Sequence, residues 1–372
     1  MLVAAKRRWR AKVQSWVEKR LQESGRKQDG AAANSQSITW ALYTGPFRAK
    51  SIVRLGDRKS GRDLAYIKVI SGGPSRATSL EVELANRAKI RGSLEASASR
   101  AVNVPQEYGT LRNGDTFYQM ESVAQGTKLS RMVRRPRYLS DLRSVKNDFN
   151  RFFGSVMDLT EALQKVSGAK ALSSSWREIP EEFENHPEVR VAIEQSRYLG
   201  GASSSSPFTW IQHGDLSVEN IALDQETGRI EVFDWADLAG GFPPLYDLFG
   251  LFYSMGYLAP ADEAVRFPSE EERWMASFRA VFFGDSGFGR IVRDLILQAC
   301  KRLRVRPELI PALLVEFLLV RSYYYRTKSV VQRRTHLRLL QFCFEQNRPV
   351  FGTFQLGPAS ASSSQPLNHV PL

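Results

Sequence analysis

The stretch Trp210–Leu248, WIQHGDLSVENIALDQETGRIEVFDWADLAGGFPPLYDL, decides the fold that we expect for this chain. Two apolar runs, 221–223 and 230–233, are separated by a polar segment that contains a glycine, and this pattern predicts a β-hairpin. Because a hairpin brings its two ends together, Asn220 and Asp234 should lie side by side at the open end.

Three side chains around this hairpin suit a magnesium site with an acid beside it. The amide oxygen of Asn220 and the carboxylate of Asp234 are hard oxygen ligands, which Mg²⁺ prefers. Asp215, on the loop before the hairpin, is a second carboxylate that could accept a proton from an attacking hydroxyl group. The sequence therefore predicts a metal site with a general base next to it.

These residues resemble the catalytic core of the aminoglycoside phosphotransferase and choline kinase-like family, whose members are relatives of the protein kinases. The residues that carry the resemblance are His213-Gly214-Asp215, Asn220 and Phe233-Asp234-Trp235. The resemblance implies that Asp215 is the catalytic base and that Asn220 and Asp234 bind Mg²⁺. It also implies that His213 shapes the loop and that Asp247 anchors it.

The same resemblance implies an α+β fold of the two-lobed protein-kinase-like type, with a small antiparallel-sheet N-lobe and a mostly helical C-lobe. Strand-like runs at 38–43, 50–55 and 64–70 predict a meander in the first part of the chain. Helical periodicity predicts the helices 139–167, 248–258, 269–283, 288–303, 310–325 and 330–347. We expect an extension and linker at 1–37, the N-lobe at 38–123, the C-lobe at 124–355 and a disordered tail at 356–372.

Lys68 is the predicted nucleotide-binding lysine. It lies inside the apolar strand AYIKVI, where an unpaired buried ammonium group would be costly. The resemblance implies that Lys68 binds nucleotide phosphates and pairs with a glutamate on the next helix, which we predict at 77–92 with Gly92 ending it. Glu81 and Glu83 both qualify, and the spacing typical of the family favours Glu83.

Two further nucleotide contacts are predicted from their positions. Gly45, in the turn between the first two strands, would let backbone N–H groups approach phosphate oxygens. Met120 and Val123 follow a predicted hairpin, in a segment that resembles the kinase hinge, whose backbone binds adenine. No G-x-x-x-x-G-K-[ST] motif occurs, which argues against a P-loop kinase. The resemblance implies ATP or GTP and Mg²⁺ as cofactors and a small-molecule hydroxyl acceptor, such as a sugar or glycan precursor.

The formal net charge of +13 favours anionic partners, but no motif that reads DNA or RNA occurs, so nucleic acid is not expected. Residues 1–27 are basic, and their apolar residues recur at helical spacing. This helix would either lie on an anionic membrane surface or pack on the body of the protein. The two cysteines, Cys300 and Cys343, are predicted to be buried thiols, which indicates a protein of the reducing cytoplasm. If the basic helix lies on a membrane, we expect peripheral association at the inner membrane face.

Other interpretations stay open from the sequence alone. The chain could be a nucleotide-binding pseudokinase with a regulatory role, although the complete set of Lys68, Asp215, Asn220 and Asp234 argues against this. It could also be an anionic-surface-binding protein that acts through its basic N-terminus. The aromatic and basic cluster RSYYYR at 321–326 would either line the acceptor side or pack a helix end.

Overall fold

The computed structural model describes residues 2–23, 38–44, 50–58, 60, 62–71, 74–97, 100–124, 126–136, 138–172, 180–183, 210–259, 267–283 and 286–345. The predicted linker before Ile38 and the predicted tail 356–372 lie outside these residues. Two compact units are present: a sheet unit (1–132, 147–170 and 213–238) and a helical unit (133–146, 171–212 and 239–372). The predicted lobe bounds, 38–123 and 124–355, stay a prediction.

The described strands are, in chain order, β1 Ile38–Thr44, β2 Lys50–Asp57, β3 Asp63–Ser71, β4 Val102–Asn103, β5 Glu107–Asn113, β6 Thr116–Ser122, β7 Thr127–Lys128, β8 Trp210–Gln212, β9 Ile221–Leu223, β10 Ile230–Val232 and β11 Ala239–Phe242. The described α-helices are α1 Leu2–Glu23, α2 Pro74–Ala96, α3 Leu129–Val133, α4 Leu142–Leu163, α5 Tyr246–Leu258, α6 Glu270–Phe282, α7 Gly287–Leu303, α8 Ile310–Tyr325 and α9 Val330–Glu345. The predicted α+β class, with an antiparallel sheet first and helices after it, is confirmed.

The larger sheet has the strand order β1-β2-β3-β6-β5, with antiparallel neighbours throughout. This order confirms the predicted meander and the hairpin that follows it. In the register, Lys68 lies opposite Gln119 and Ile67 lies opposite Met120. Because side chains alternate between the faces of a sheet, Lys68 and Gln119 share one face, and Ile67 and Met120 share the other.

Helix α1 covers the second of these faces. Val13, Val17 and Leu21, spaced four residues apart, are buried in one apolar cluster with residues of the sheet. The sheet residues in this cluster are Ile38, Leu55, Ala65, Ile67, Tyr108, Tyr118 and Met120. The described side chains of α1 therefore match the packed interpretation of this helix, because its apolar face is already buried. The side chain of Trp9 lies outside the described part.

The predicted hairpin of the deciding stretch is present and lies in a second sheet, ordered β4-β10-β9-β7. β9 and β10 pair antiparallel, with Val232 opposite Ile221, which is the predicted arrangement. β4 pairs in parallel with β10, with Val102 opposite Ile230. A strand of two residues is too short to show a periodic pattern, so the sequence could not reveal this partner.

Helix α2 is longer than predicted, and the expectation that Gly92 ends it is wrong. The helix continues to Ala96, and the apolar side chains of Ile90 and Leu94 on either side of Gly92 are buried. One glycine inside a helix costs only about 1 kcal/mol relative to alanine, and burial of the flanking side chains offsets this cost.

The structure confirms the predicted helices of the helical unit within two residues at each end. These predictions are 248–258, 269–283, 288–303, 310–325 and 330–347. Aromatic side chains form much of its core, and Phe317 contacts Tyr246, Phe249 and Tyr253. Cys300 is a buried free thiol, and burial raises its pKa to about 12. Among the described residues, no helix is long and apolar enough to cross a membrane.

The tyrosine rings of the aromatic and basic cluster at 321–326 are covered by nearby cationic side chains. Arg326 lies 3.9 Å from the ring centroid of Tyr323, Lys328 lies 3.3 Å from that of Tyr324, and Arg321 lies 5.2 Å from that of Tyr325. Cations that already cover these rings favour packing of a helix end over a lining for the acceptor.

His336 is a buried titratable group in α9. Its Nδ1–H donates to the carbonyl of Gln332 at 2.6 Å, and its ring stacks on Tyr325 with a centroid distance of 5.4 Å. Burial, and then the positive charge of Arg321, lower the pKa of His336 from 6.5 to about 3. The folded protein therefore holds this imidazole in its neutral form.

We expect this histidine to make the protein acid-sensitive. Below pH 6.5 the unfolded chain binds a proton at this side chain that the folded chain does not, so stability falls as the pH falls. The expected loss is about 2 kcal/mol between pH 7 and pH 5. Denaturant unfolding of the wild type and His336→Gln across this range checks it. Equal losses of stability in both proteins would contradict the prediction.

Candidate active site

Lys68 is buried and pairs with Glu83 across the space between β3 and α2. Its Nζ lies 2.5 Å from the Glu83 carboxylate, and both residues are 5% exposed or less. Glu81, the other candidate, is exposed on the same helix. The structure therefore joins Lys68 to Glu83, the glutamate that the family spacing favoured.

A second ion pair lies against the first and was missed in the sequence. Arg87, one helical turn after Glu83, contacts Glu121 at the end of β6 and also lies 3.3 Å from Glu83. Glu121 in turn lies 3.4 Å from Lys68. Burial alone would raise the pKa of Glu121, but Lys68 and Arg87 outweigh it and hold that pKa below its usual range. Glu121 therefore stays ionised beside Lys68 and Arg87.

The loop that carries Asp215 is held in shape by His213, which is fully buried. The imidazole Nε2–H donates to the carbonyl of Phe233 at 2.7 Å, so Nδ1 can accept from the backbone N–H of Asp215 at 3.3 Å. The tautomer follows from this pair of partners. Asn220 donates through Nδ2 to the backbone carbonyl of Asp215 at 2.9 Å and lies 3.4 Å from its carboxylate. His213 and Asn220 therefore fix the position of Asp215.

Asp234 follows the last paired residue of the hairpin, since the N–H of Phe233 donates to the carbonyl of Asn220 at 2.9 Å. Its backbone is left-handed, with φ 58° and ψ 61°. A residue other than glycine adopts this conformation at a cost, and such positions cluster at functional sites. The indole of Trp235 anchors the turn that follows, donating to the carbonyl of Val232 at 2.9 Å.

Helix α2 connects the lysine strand to this turn within the sheet unit. Asn86, between Glu83 and Arg87 on the helix, donates through Nδ2 to the backbone carbonyl of Trp235 at 2.9 Å. Asn86 is buried, so loss of this hydrogen bond would leave polar groups unpaired. Helix α2 therefore carries Glu83, the partner of Lys68, and also binds the backbone of Trp235, the residue that follows Asp234.

The donor set fits the magnesium ion that the resemblance implies. The amide nitrogen of Asn220 is engaged with Asp215, which leaves the amide oxygen as the atom available for a metal. Together with the carboxylate of Asp234 it provides hard oxygen ligands of the kind that bind Mg²⁺ through few protein contacts. Within the described residues, no group of three or more His, Cys, Asp or Glu side chains forms an alternative metal site.

The other predicted site residues differ in what the structure describes. Met120 lies within β6 between β3 and β5, and its side chain is buried in the α1 cluster. Val123 directly follows the end of β6 and is partly exposed. Asp247 is buried in the first turn of α5, and its anchoring role stays a prediction. Gly45 lies outside the described residues.

Sequence reasoning also missed Gln119 and Lys128. Gln119 shares the sheet face of Lys68 and is fully buried, and neither of its amide atoms has a hydrogen-bond partner among the described residues. The Nζ of Lys128 lies 5.6 Å from the ring centroid of Phe233, beside the hairpin end. Arg87 alone carried a readable signal, because it follows Glu83 by four residues on the same helix face.

Solved structures similar to this chain include small-molecule phosphotransferases. Aminoglycoside phosphotransferase APH(3'')-Id from Streptomyces rimosus is 15% identical over 86% of this chain and 95% of that chain, with a TM-score of 0.42. A variant of aminoglycoside 2'-phosphotransferase-IIIa in complex with GDP is 14% identical over 85% and 93%, with a TM-score of 0.48. An ethanolamine kinase from Plasmodium vivax is 12% identical over 86% and 87%, with a TM-score of 0.41.

No protein-family model matches the chain, and no curated protein sequence is significantly similar to it. At such low identities and TM-scores the structural matches carry no argument about activity. We therefore base the functional proposal on the side-chain contacts described above.

Proposed function

We propose that this chain is a small-molecule kinase that transfers the γ-phosphoryl group of ATP or GTP to a hydroxyl group of its acceptor. The observation that supports this most strongly is that one compact unit holds both the buried Lys68–Glu83 ion pair and the loop in which Asn220 orients Asp215. Phosphoryl transfer needs a cation for the triphosphate and a base at the acceptor hydroxyl, and catalysis comes mostly from positioning and charge neutralisation.

Each residue has a role that its environment supports. Lys68, restrained by Glu83, binds the nucleotide phosphates. Asp215 accepts a hydrogen bond from the acceptor hydroxyl and takes its proton as the phosphoryl group is transferred. Backbone groups near Met120 and Val123 bind the base. Because Met120 is paired on both sides within the sheet, Val123 is the better placed of the two.

Asn220, through its amide oxygen, and Asp234, through its carboxylate, would hold Mg²⁺. The bound ion supplies positive charge that neutralises the phosphate oxygens. Gly45, in the first turn, is the proposed backbone contact to the phosphates. The acceptor is a hydroxylated small molecule, and sugars and glycan precursors are the first class to test.

A phosphate-transfer screen tests this proposal. Purified protein is incubated with ATP or GTP, Mg²⁺ and a panel of sugars, amino alcohols and aminoglycosides, and products heavier by one phosphate are detected by mass spectrometry. We expect one acceptor class to gain a phosphate with the wild type. We expect Asp234→Ala to reduce that product by about 100-fold, because loss of a metal ligand leaves the triphosphate charge unbalanced.

The Asp234→Ala protein separates enzymatic transfer from contamination by another kinase. Equal product with both proteins would assign the transfer to a contaminant. A wild-type protein that binds neither ATP nor GTP in the presence of Mg²⁺ would overturn the proposal, whatever acceptors are tried.

A further inference from the structure

Four charged side chains form a closed ring on the face of the larger sheet that α1 does not cover. Lys68 contacts Glu83 and Glu121, and Arg87 contacts the same two carboxylates. All four residues are 5% exposed or less. We call this group the Lys68 ring. It contains two cationic and two anionic side chains, so its net charge is zero when all four are ionised.

The balance of the Lys68 ring depends on Arg87. With Lys68 and Glu83 alone, one lysine would face one carboxylate. Glu121 adds a second carboxylate 3.4 Å from the ammonium group, and this carboxylate is ionised because Lys68 and Arg87 lower its pKa. Without Arg87, the two carboxylates would compete for one ammonium group and leave a net negative charge beside it.

We propose that Arg87 is a positioning residue that keeps Lys68 available to nucleotide phosphates by neutralising Glu121. This inference rests on the proposed function and adds a residue to it. Arg87 does not need to touch the nucleotide, because it acts through the charge and the hydrogen bonds of the two carboxylates. Its short contact with Glu121 and its 3.3 Å separation from Glu83 place it where it can do this.

The inference predicts effects of opposite sign on phosphate binding. Arg87→Met leaves the ring with one cation and two anions, which repels phosphates and captures the ammonium group of Lys68. Glu121→Gln leaves two cations and one anion, which attracts phosphates. The double variant R87M/E121Q returns the ring to balance through Lys68 and Glu83 alone. A unit charge in a partly buried site changes ligand affinity by about tenfold.

Isothermal titration of each protein with Mg-ATP and with adenosine tests this. Adenosine carries the base and sugar without phosphates, so it reports the shape of the site without its charge. We expect Arg87→Met to bind Mg-ATP about tenfold more weakly than the wild type, and R87M/E121Q to regain wild-type affinity. Arg87→Lys should retain most of the affinity because it keeps the charge. Adenosine affinity should be the same in all variants.

Several outcomes would overturn the inference. Parallel losses of Mg-ATP and adenosine binding in Arg87→Met would assign Arg87 a purely structural role. A double variant as weak as Arg87→Met would exclude the charge balance. If Arg87→Met alone does not fold, E121Q is compared with R87M/E121Q, and equal Mg-ATP affinities overturn the inference. A wild type that binds neither Mg-ATP nor Mg-GTP refutes the proposed function itself, which is a different result.

Discussion

Replacement of Asp215 by asparagine should lower phosphoryl transfer by about 10²–10⁴-fold while Mg-ATP binds nearly as before. The asparagine keeps the size of the side chain, and its backbone carbonyl still accepts from Asn220. What is lost is the carboxylate that takes the proton from the acceptor hydroxyl group. Initial rates with the acceptor found by the screen, together with titration of Mg-ATP, measure the two effects separately.

Glu226→Gln is the matched control for this variant. Glu226 lies on the exposed turn of the same hairpin, and its replacement changes the net charge by the same amount. We expect its transfer rate to equal that of the wild type. If Asp215→Asn were as active as Glu226→Gln, Asp215 would lose its role as the base, although the nucleotide site could still be correct.

The second large effect is expected from Gly214→Ala. Gly214 lies between His213 and Asp215 with φ +87°, and a Cβ atom there would lie 2.4 Å from the backbone carbonyl of Asp237. Both the left-handed backbone and the overlap with a backbone atom oppose alanine. We expect a loss of about 2 kcal/mol or more in the free energy of unfolding, with loss of transfer activity. Denaturant unfolding measures the first and the transfer assay the second.

Gly92→Ala provides the comparison for this substitution. Gly92 lies inside α2 with open space where a Cβ atom would be placed. Alanine at this site should stabilise the protein by about 0.5–1 kcal/mol through helix propensity. Equal stabilities of the two variants would show that the conformation of the loop at Gly214 is not a constraint.

The hairpin and the lysine pair could be predicted because their signals are local. Two apolar runs around a glycine-containing turn predict paired strands, and the structure pairs 221–223 with 230–232 as predicted. Helix geometry predicted that only one of Glu81 and Glu83 could reach Lys68, since residues two apart on a helix face different sides, and the spacing typical of the family favoured Glu83. In both cases the paired residues are close in sequence, or the regular geometry of a hairpin or a helix determines which of them can meet.

The rest could not be predicted because its causes are long-range. Arg87 and Glu121 are 34 residues apart, and each alone has the pattern of an ordinary surface charge. The apolar face of α1 fits a membrane surface and a protein sheet equally well in sequence. Only the structure, in which the larger sheet lies against this face of α1, distinguishes the two interpretations. The parallel partner of β10 is two residues long and lies more than a hundred residues earlier in the chain.

The hydrogen bond from Asn86 to the carbonyl of Trp235 has a thermodynamic consequence. It ties the helix that restrains Lys68 to the residue after Asp234, so a nucleotide that orders one end of this link also orders the other. Phosphate and metal would then bind cooperatively. Because linkage is reciprocal, each would raise the affinity of the other by the same factor.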